Sequence, residues 1–323
     1  MNSSSSPPSS PHAHSLEEER ELLARVDETL RSKFWKWVFT DPARTPDTLF
    51  EHLSEALPHI PAEEWSERAD FGGVYINGYP ALTDCRLPLP CMIEYYEPKF
   101  SIKEASSIFP PFHPEYILSH DGDLAIVYKP PLLPSVPAKE QRLYSVRGAV
   151  AALLQRKVHM PSRLDVSVSG LVVMSTSERM HAHLQKAFEH RLVSKHYRLL
   201  SGNKPSEREW VVDAAIGRDP RHAVLRKVVT QGGQSALTKF NVVREVTSAQ
   251  GYEVEAQPVT GRTHQIRVHA AHSGIPIDGD RFYSGRPAES LHLMSYRIQL
   301  THPLTGERID FSLPENLRPH WVS

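Results

Sequence analysis

The sequence has 323 residues, 40% hydrophobic and 23% charged, which is enough apolar material for a sizeable core and excludes a wholly disordered chain. No run approaches the ~18 uninterrupted apolar residues that span a bilayer. Two cysteines, Cys85 and Cys91, exclude a disulfide scaffold and a four-cysteine zinc site, and fit a reducing compartment. The net charge of −1 hides an asymmetry, since residues 1–150 carry 14 basic against 22 acidic side chains and residues 151–323 carry 23 against 16. A basic C-terminal half suits a nucleic-acid or phosphate partner there; a solvated surface that happens to be basic explains it equally well.

Residues 1–15, MNSSSSPPSSPHAHS, form a Ser/Pro-rich tail without the apolar run of a secretory signal or the arginines of a transit peptide. Ser15 followed by Glu18 makes a capping-box pattern, and Leu16, Leu22, Leu23, Val26 and Leu30 supply a helical apolar face. Thr45-Pro46 opens a second expected helix with Leu49, Phe50, Leu53 and Leu57 inward. FGGVYINGYP alternates towards an Asn77-Gly78 turn, and MIEYYEP reads as a partner strand. These elements make a small helical and hairpin module over 16–105.

From residue 115 to 323 the pattern becomes short strands with few helices. DLAIVYKP, LVVMSTS, KHYRLLSG, WVVDAAIG, SALTKFNVVREV, YEVEAQPV and SLHLMSYRIQL read as strands. Residues 143–156, SERMHAHLQKAFEHR and a segment starting near Thr263 read as helices. Links too short for crossovers predict an α+β fold with a mostly antiparallel central sheet.

A glycine-rich phosphate loop, a dinucleotide fingerprint and a G-x-S-x-G elbow are all missing. The histidines of HAH (His181, His183) and of H-x4-H-x2-H (His264, His269, His272) lack a cysteine or carboxylate to complete a metal site, and read better as surface or RNA-contacting groups. His181 and His183, two apart on a helix, face different ways. Asp165 lies in the polar loop PSRLDVSVSG, two residues after Arg163. TGRTHQIRVHAAHSG reads as a helix start capped by Thr263, with Arg267 on the same face. Such an N-terminus with arginines can receive an anion, either a phosphate or the Asp165 carboxylate in a structural tether.

RLDVSVSGLVVMSTS, KHYRLL, TGRTHQIRVHAAHSGIPIDGDRFY and LHLMSYRIQLTHPLTGE, in this order and after a YKP (Tyr128 to Pro130), resemble the RluA family of pseudouridine synthases over about residues 120–315. The resemblance implies that Asp165 is the catalytic carboxylate, attacking either the anomeric carbon or the uracil ring. It further implies that Tyr197 packs on the uracil and assists proton removal, and that Arg267 pairs with Asp165 and holds it ionised. Arg262 is the second candidate for that pairing, and Arg163 fills the gap left by a flipped-out uridine. Thr263, His264 and Gln265, in the same run as Arg262, become substrate-binding candidates. Base flipping costs a few kcal/mol and is offset by stacking and phosphate contacts, for which Arg179, Lys186, Arg191, Lys195 and Arg198 are candidates.

Isomerisation needs no redox step or added group, so the implied cofactor set is none. The implied partner is RNA, ribosomal or transfer, met by a cytoplasmic monomer with no protein partner required and no membrane. Ser162 stands where the family usually has His, Val166 where Arg is frequent, and Val168 where Thr is common, so hydrogen bonds to this loop must come from elsewhere. The module at 16–105 resembles, in degenerate form, the small RNA-binding domain named after ribosomal protein S4; its acidic helical part departs from that domain, and a docking or structural role stays open. The alternative to an enzyme is an RNA-binding or RNA-folding protein on the same scaffold without catalysis. A carboxylate glycosidase would need a second paired Asp or Glu, and none stands out.

Overall fold

FWKWVF alternates exposed and half-buried side chains and forms the first strand, β1 (Phe34–Phe39). The computed structural model describes residues 33–98, 101–139, 141–220 and 224–323; the Ser/Pro tail and the helix expected from Ser15 lie outside them. The helix expected from Thr45-Pro46 starts later, as α1 (Leu49–Ala56). Thr48 Oγ1 accepts the Glu51 N–H at 3.3 Å while Glu51 reaches back to the Asp47 N–H at 3.2 Å, so the reciprocal cap sits at Thr48. A second short helix, α2 (Trp65–Phe71), follows. The hairpin of β2 (Val74–Ile76) and β3 (Tyr79–Pro80) turns at Asn77 and Gly78, both at positive φ as a two-residue hairpin turn demands. β4 (Cys91–Tyr96) pairs with both β1 and β2, giving an antiparallel sheet in the order β1-β4-β2-β3. β1 is therefore a fourth strand that two helices and a hairpin do not supply. Leu49, Leu53, Trp65, Ile93 and Tyr95 form the core beneath this sheet.

After a single-turn helix, α3 (Ala105–Ile108), the chain builds a nine-stranded sheet. Its strands are β5 (Ile117–His120), β6 (Leu124–Lys129), β7 (Ser169–Ser175), β8 (Ser194–Ser201), β9 (Glu209–Asp213), β12 (Leu237–Val246), β13 (Gly251–Pro258), β14 (Leu293–Thr301) and β15 (Arg308–Ser312). Their order is β5-β6-β7-β14-β8-β13-β12-β9, with β15 on β14; the β7–β14 pair is parallel and the rest are antiparallel. The fold is α+β with a mostly antiparallel sheet. A separate two-stranded ribbon, β10 (Ile216–Arg218) with β11 (Arg226–Val228), lies outside it.

Strands β6 and β7 are buried on both faces, which explains why LAIVYK and SGLVVMS read as continuous apolar runs. Ala125, Val127, Val172 and Met174 point to one face and pack under α4 (Val146–Leu154) and α6 (Gln265–His272). Leu124, Ile126, Leu171 and Val173 point to the other, covered by α5 (Glu178–Glu189) and Trp321. Met180 and Leu184 of α5 are fully buried, worth about 2 kcal/mol each in area removed from water. No helix among the described residues is long and apolar enough to cross a membrane.

Gly170 at φ 110° lets β7 approach β14, because a Cβ there would lie 2.2 Å from the Ser295 carbonyl oxygen. Ser295 in turn opposes Tyr197 on β8, so this contact sets Tyr197 beside the loop that precedes β7. Gly170→Ala is expected to cost upwards of about 3 kcal/mol, since neither the backbone nor its φ can yield cheaply. A denaturant titration checks this, and a loss below about 1 kcal/mol would contradict it.

Candidate active site

The loop 162–168 between α4 and β7 is fastened by three side chains. The Ser135 hydroxyl donates to the Leu164 carbonyl (2.7 Å) and accepts the Leu164 N–H (3.1 Å). Lys129 Nζ, fully buried at the end of β6, donates to the carbonyls of Pro130 (3.0 Å), Val166 (2.9 Å) and Val168 (2.6 Å). Three acceptors match the three N–H bonds of an ammonium. Burial pulls its pKa down to about 7 against the attraction of Asp165. Lys195 Nζ, on β8, donates to Ser162 Oγ at 2.9 Å. Leu164 and Val168 plug the loop into the core, leaving Asp165 between them at the surface.

The Asp165 side chain is 32% exposed and its Oδ2 accepts from Arg267 Nη1 at 3.2 Å. Arg267 is buried in the first turn of α6, and its other two contacting nitrogens grip Asp280 in a two-pronged bond, both arms 2.7 Å. Burial works against the guanidinium charge, but Asp280 and then Asp165 outweigh it and raise its pKa. The His264 Nε2 stands 3.8 Å from the same Oδ2, and its Nδ1 lies 2.6 Å from the Tyr283 hydroxyl. Burial pulls the His264 pKa down to about 4, against the opposing attraction of Asp165. Tyr197 is buried, and burial together with the nearby Asp165 charge pushes its phenol well above the ordinary range, so its ring is neutral at physiological pH.

Asp165, Arg267, His264 and Tyr197 are thus brought together, with Arg163 exposed on the same loop. Arg262 is not part of the pairing: its Nε donates to the Ser235 carbonyl at 3.0 Å. Thr263 does not cap the helix, because the chain turns through His264 in a left-handed conformation (φ 58°) and α6 begins at Gln265. Gln265 is committed internally. Its oxygen accepts from Thr260 Oγ1 and the Arg262 N–H, and its nitrogen donates to Leu237 O and Thr238 Oγ1, leaving no amide bond for a substrate.

The family described as RNA pseudouridylate synthase matches residues 123–272, which hold both Asp165 and Arg267. The dual-specificity RNA pseudouridine synthase RluA of Escherichia coli (strain K12) is 33% identical over 205 residues, covering 61% of this chain and 92% of that one. The chain belongs to the RluA family of RNA pseudouridine synthases. The RNA pseudouridine synthase YjbO of Bacillus subtilis (strain 168) is 33% identical over 210 residues, covering 61% of the synthase and 71% of that relative. Among solved structures, human RNA pseudouridylate synthase domain containing 1 shares the fold, with TM-score 0.54 at 22% identity over 62% of the synthase and 83% of that chain.

Asp280 and Tyr283 lie in the IDGDRFY run of the synthase yet went unassigned from sequence, and Lys129 appeared only as part of YKP; their partners are tertiary. Several basic side chains expected on RNA are instead paired within the synthase. Arg179 Nε donates to Asp123 at 2.8 Å. Arg198 bridges Glu253 (3.2 Å) and Glu255 and lies 4.5 Å from the Tyr296 ring centre. Lys186 and Arg191 stay exposed. His181 takes Ser175 Oγ at 2.7 Å while His183 faces outward, as their spacing implies. His269 is fully buried between Thr238 and Ala214, so it is not a surface group.

Burial holds the Lys195 pKa down to about 8. The unfolded chain, with a lysine near its ordinary ~10.4, binds more protons between about pH 8 and 10, so this group makes stability rise with pH across that window. Lys195→Met removes that contribution. Its thermal midpoint should climb less from pH 8 to 10 than the wild type's, and identical slopes would contradict the assignment.

Proposed function

We propose that the synthase isomerises uridine within folded RNA, with Asp165 attacking a nucleotide turned out of its stack. The observation that carries this reading is the asymmetry at Asp165, where Oδ2 is held by Arg267 while the carboxylate as a whole remains part-exposed on a loop that Lys129 and Ser135 immobilise. A carboxylate so held is preorganised for attack. The Asp165 carboxylate bonds to C1′ as the glycosidic C1′–N1 bond breaks, the freed uracil turns, and C5 displaces the carboxylate as it bonds to C1′. The C5 proton leaves and N1 gains one, so atoms and charge balance without an oxidant or group donor.

In this reading neutral Tyr197 supports the uracil face, and exposed Arg163 enters the gap in the RNA stack, a role suited to a planar cation. Residues 115–323 serve as the catalytic unit and 16–105 as an accompanying module. We take the synthase to act as a monomer, and the free thiols of Cys85 and Cys91 suit the cytoplasm.

RNA carrying tritium at uracil C5 tests the reaction, because the isomerisation releases that hydrogen to water. Purified synthase is expected to release label from ribosomal or transfer RNA in proportion to pseudouridine formed. Absence of release at enzyme concentrations equal to the RNA would contradict the reading.

A further inference from the structure

Behind Asp165 lies a group that the reaction above does not use, the His264 imidazole, held in place at some conformational cost. His264 is a non-glycine residue at φ 58°, a region that side chains rarely adopt, and such strain concentrates at functional sites. Its ring is flanked by Phe282 and Tyr283, with centroids at 6.0 and 5.7 Å. The Arg267 guanidinium lies 5.1 Å from each of the same two rings, so one aromatic pair clamps both groups that face Asp165 Oδ2.

We infer that Tyr283 and His264 form a hydrogen-bond relay that fixes the imidazole proton on Nε2 and presents that N–H to Asp165, making His264 a positioning residue for the attacking carboxylate. The inference rests on Asp165 being the attacking group. The tautomer follows from counting hydrogens. Tyr283 Oη accepts the Arg226 N–H at 3.1 Å, and among the described residues its one other partner is His264 Nδ1, at 2.6 Å. A phenol carries one hydrogen, and Nδ1 is the one acceptor placed to take it, so Nδ1 accepts and the single proton of a neutral imidazole sits on Nε2. Burial keeps the ring neutral at physiological pH.

The consequence falls on the two carboxylate oxygens. Oδ2 receives the charged donor from Arg267 at 3.2 Å and faces the neutral donor of His264 at 3.8 Å, a separation too long for a hydrogen bond until a small shift closes it. Oδ1 has no partner among the described residues and is the oxygen left to attack. Once that shift brings Nε2 within reach, two donors on one oxygen fix the carboxylate's rotation, whereas the arginine contact alone leaves it free to swing.

Nitrogen-15 NMR of the imidazoles in the full chain tests the relay directly. The expected result is a neutral His264 with the proton on Nε2, unchanged between pH 8 and 6; a proton on Nδ1, or an imidazolium at pH 7, overturns it. Kinetics test the role. Tyr283→Phe and His264→Ala should lower kcat on uridine-containing RNA by at least about tenfold with little change in KM. His264→Gln, which keeps an N–H near the Nε2 position, should restore most of the lost rate. Wild-type rates in both Tyr283→Phe and His264→Ala overturn the role while leaving the assignment of Asp165, which Asp165→Asn tests separately, untouched.

Discussion

Asp165→Asn is expected to fold, to bind RNA as the wild type does, and to lose isomerisation by at least about a thousandfold. Asparagine has the same shape, and its amide oxygen can still accept from Arg267 Nη1, so the variant strands no buried donor. The side chain is part-exposed and has one close charged partner, so the change in stability should stay within about 1 kcal/mol. What disappears is the anionic oxygen proposed to form the bond. Single-turnover assays with saturating protein separate this outcome from weak binding, and thermal melts separate it from misfolding. Measurable turnover by a folded Asp165→Asn would overturn the assignment of the nucleophile.

Arg267→Ala should be the costliest substitution at the site, because Arg267 serves two carboxylates of which one, Asp280, has no exposed side-chain surface. Deleting the guanidinium leaves Asp280 buried and unpaired, at a cost of about 3–5 kcal/mol, and at the same time frees Asp165. Activity and stability should therefore fall together in the single variant. The double variant Arg267→Ala/Asp280→Ala removes the stranded charge, so it should recover part of the stability and none of the activity. Chemical denaturation of the two variants, with single-turnover rates, checks both halves. Unchanged rates in Arg267→Ala would remove Arg267 from the mechanism, and unchanged stability would contradict the two-pronged Asp280 bond.

The middle of the central sheet was legible because β6 and β7 are buried on both faces and bounded by turn residues: LAIVYK and SGLVVMS cannot form amphipathic helices of useful length. The Asn77-Gly78 hairpin was legible from the turn alone. β1 was not read, although FWKWVF alternates, because its partner β4 lies some 57 residues on and the segment sits between stretches that read as helices. At the site, Asp165 and Arg267 stand in recognisable runs. Their environment does not. Lys129 meets carbonyls 37 and 39 residues away, and Asp280 meets Arg267 from the loop beyond the end of α6, 13 residues on.

Charge counting does not show the partners that basic side chains already have. Arg179, Lys195 and Arg198 look like phosphate contacts until Asp123, Ser162 and Glu253 are placed beside them. Ser162 and Val168, where the family usually has His and Thr, gain a physical account from the same contacts. Ser162 receives Lys195, and the carbonyls on either side of the loop's tip are met by Lys129, so the loop is held without the threonine hydroxyl.

If Asp165 converts uridine to pseudouridine in RNA, pseudouridine mapping of total RNA reveals it. Cells with the wild-type protein are compared with cells carrying only Asp165→Ala at equal expression. A defined set of uridines is expected to be modified in the first and unmodified in the second. Identical maps, with the variant folded and expressed, would contradict it.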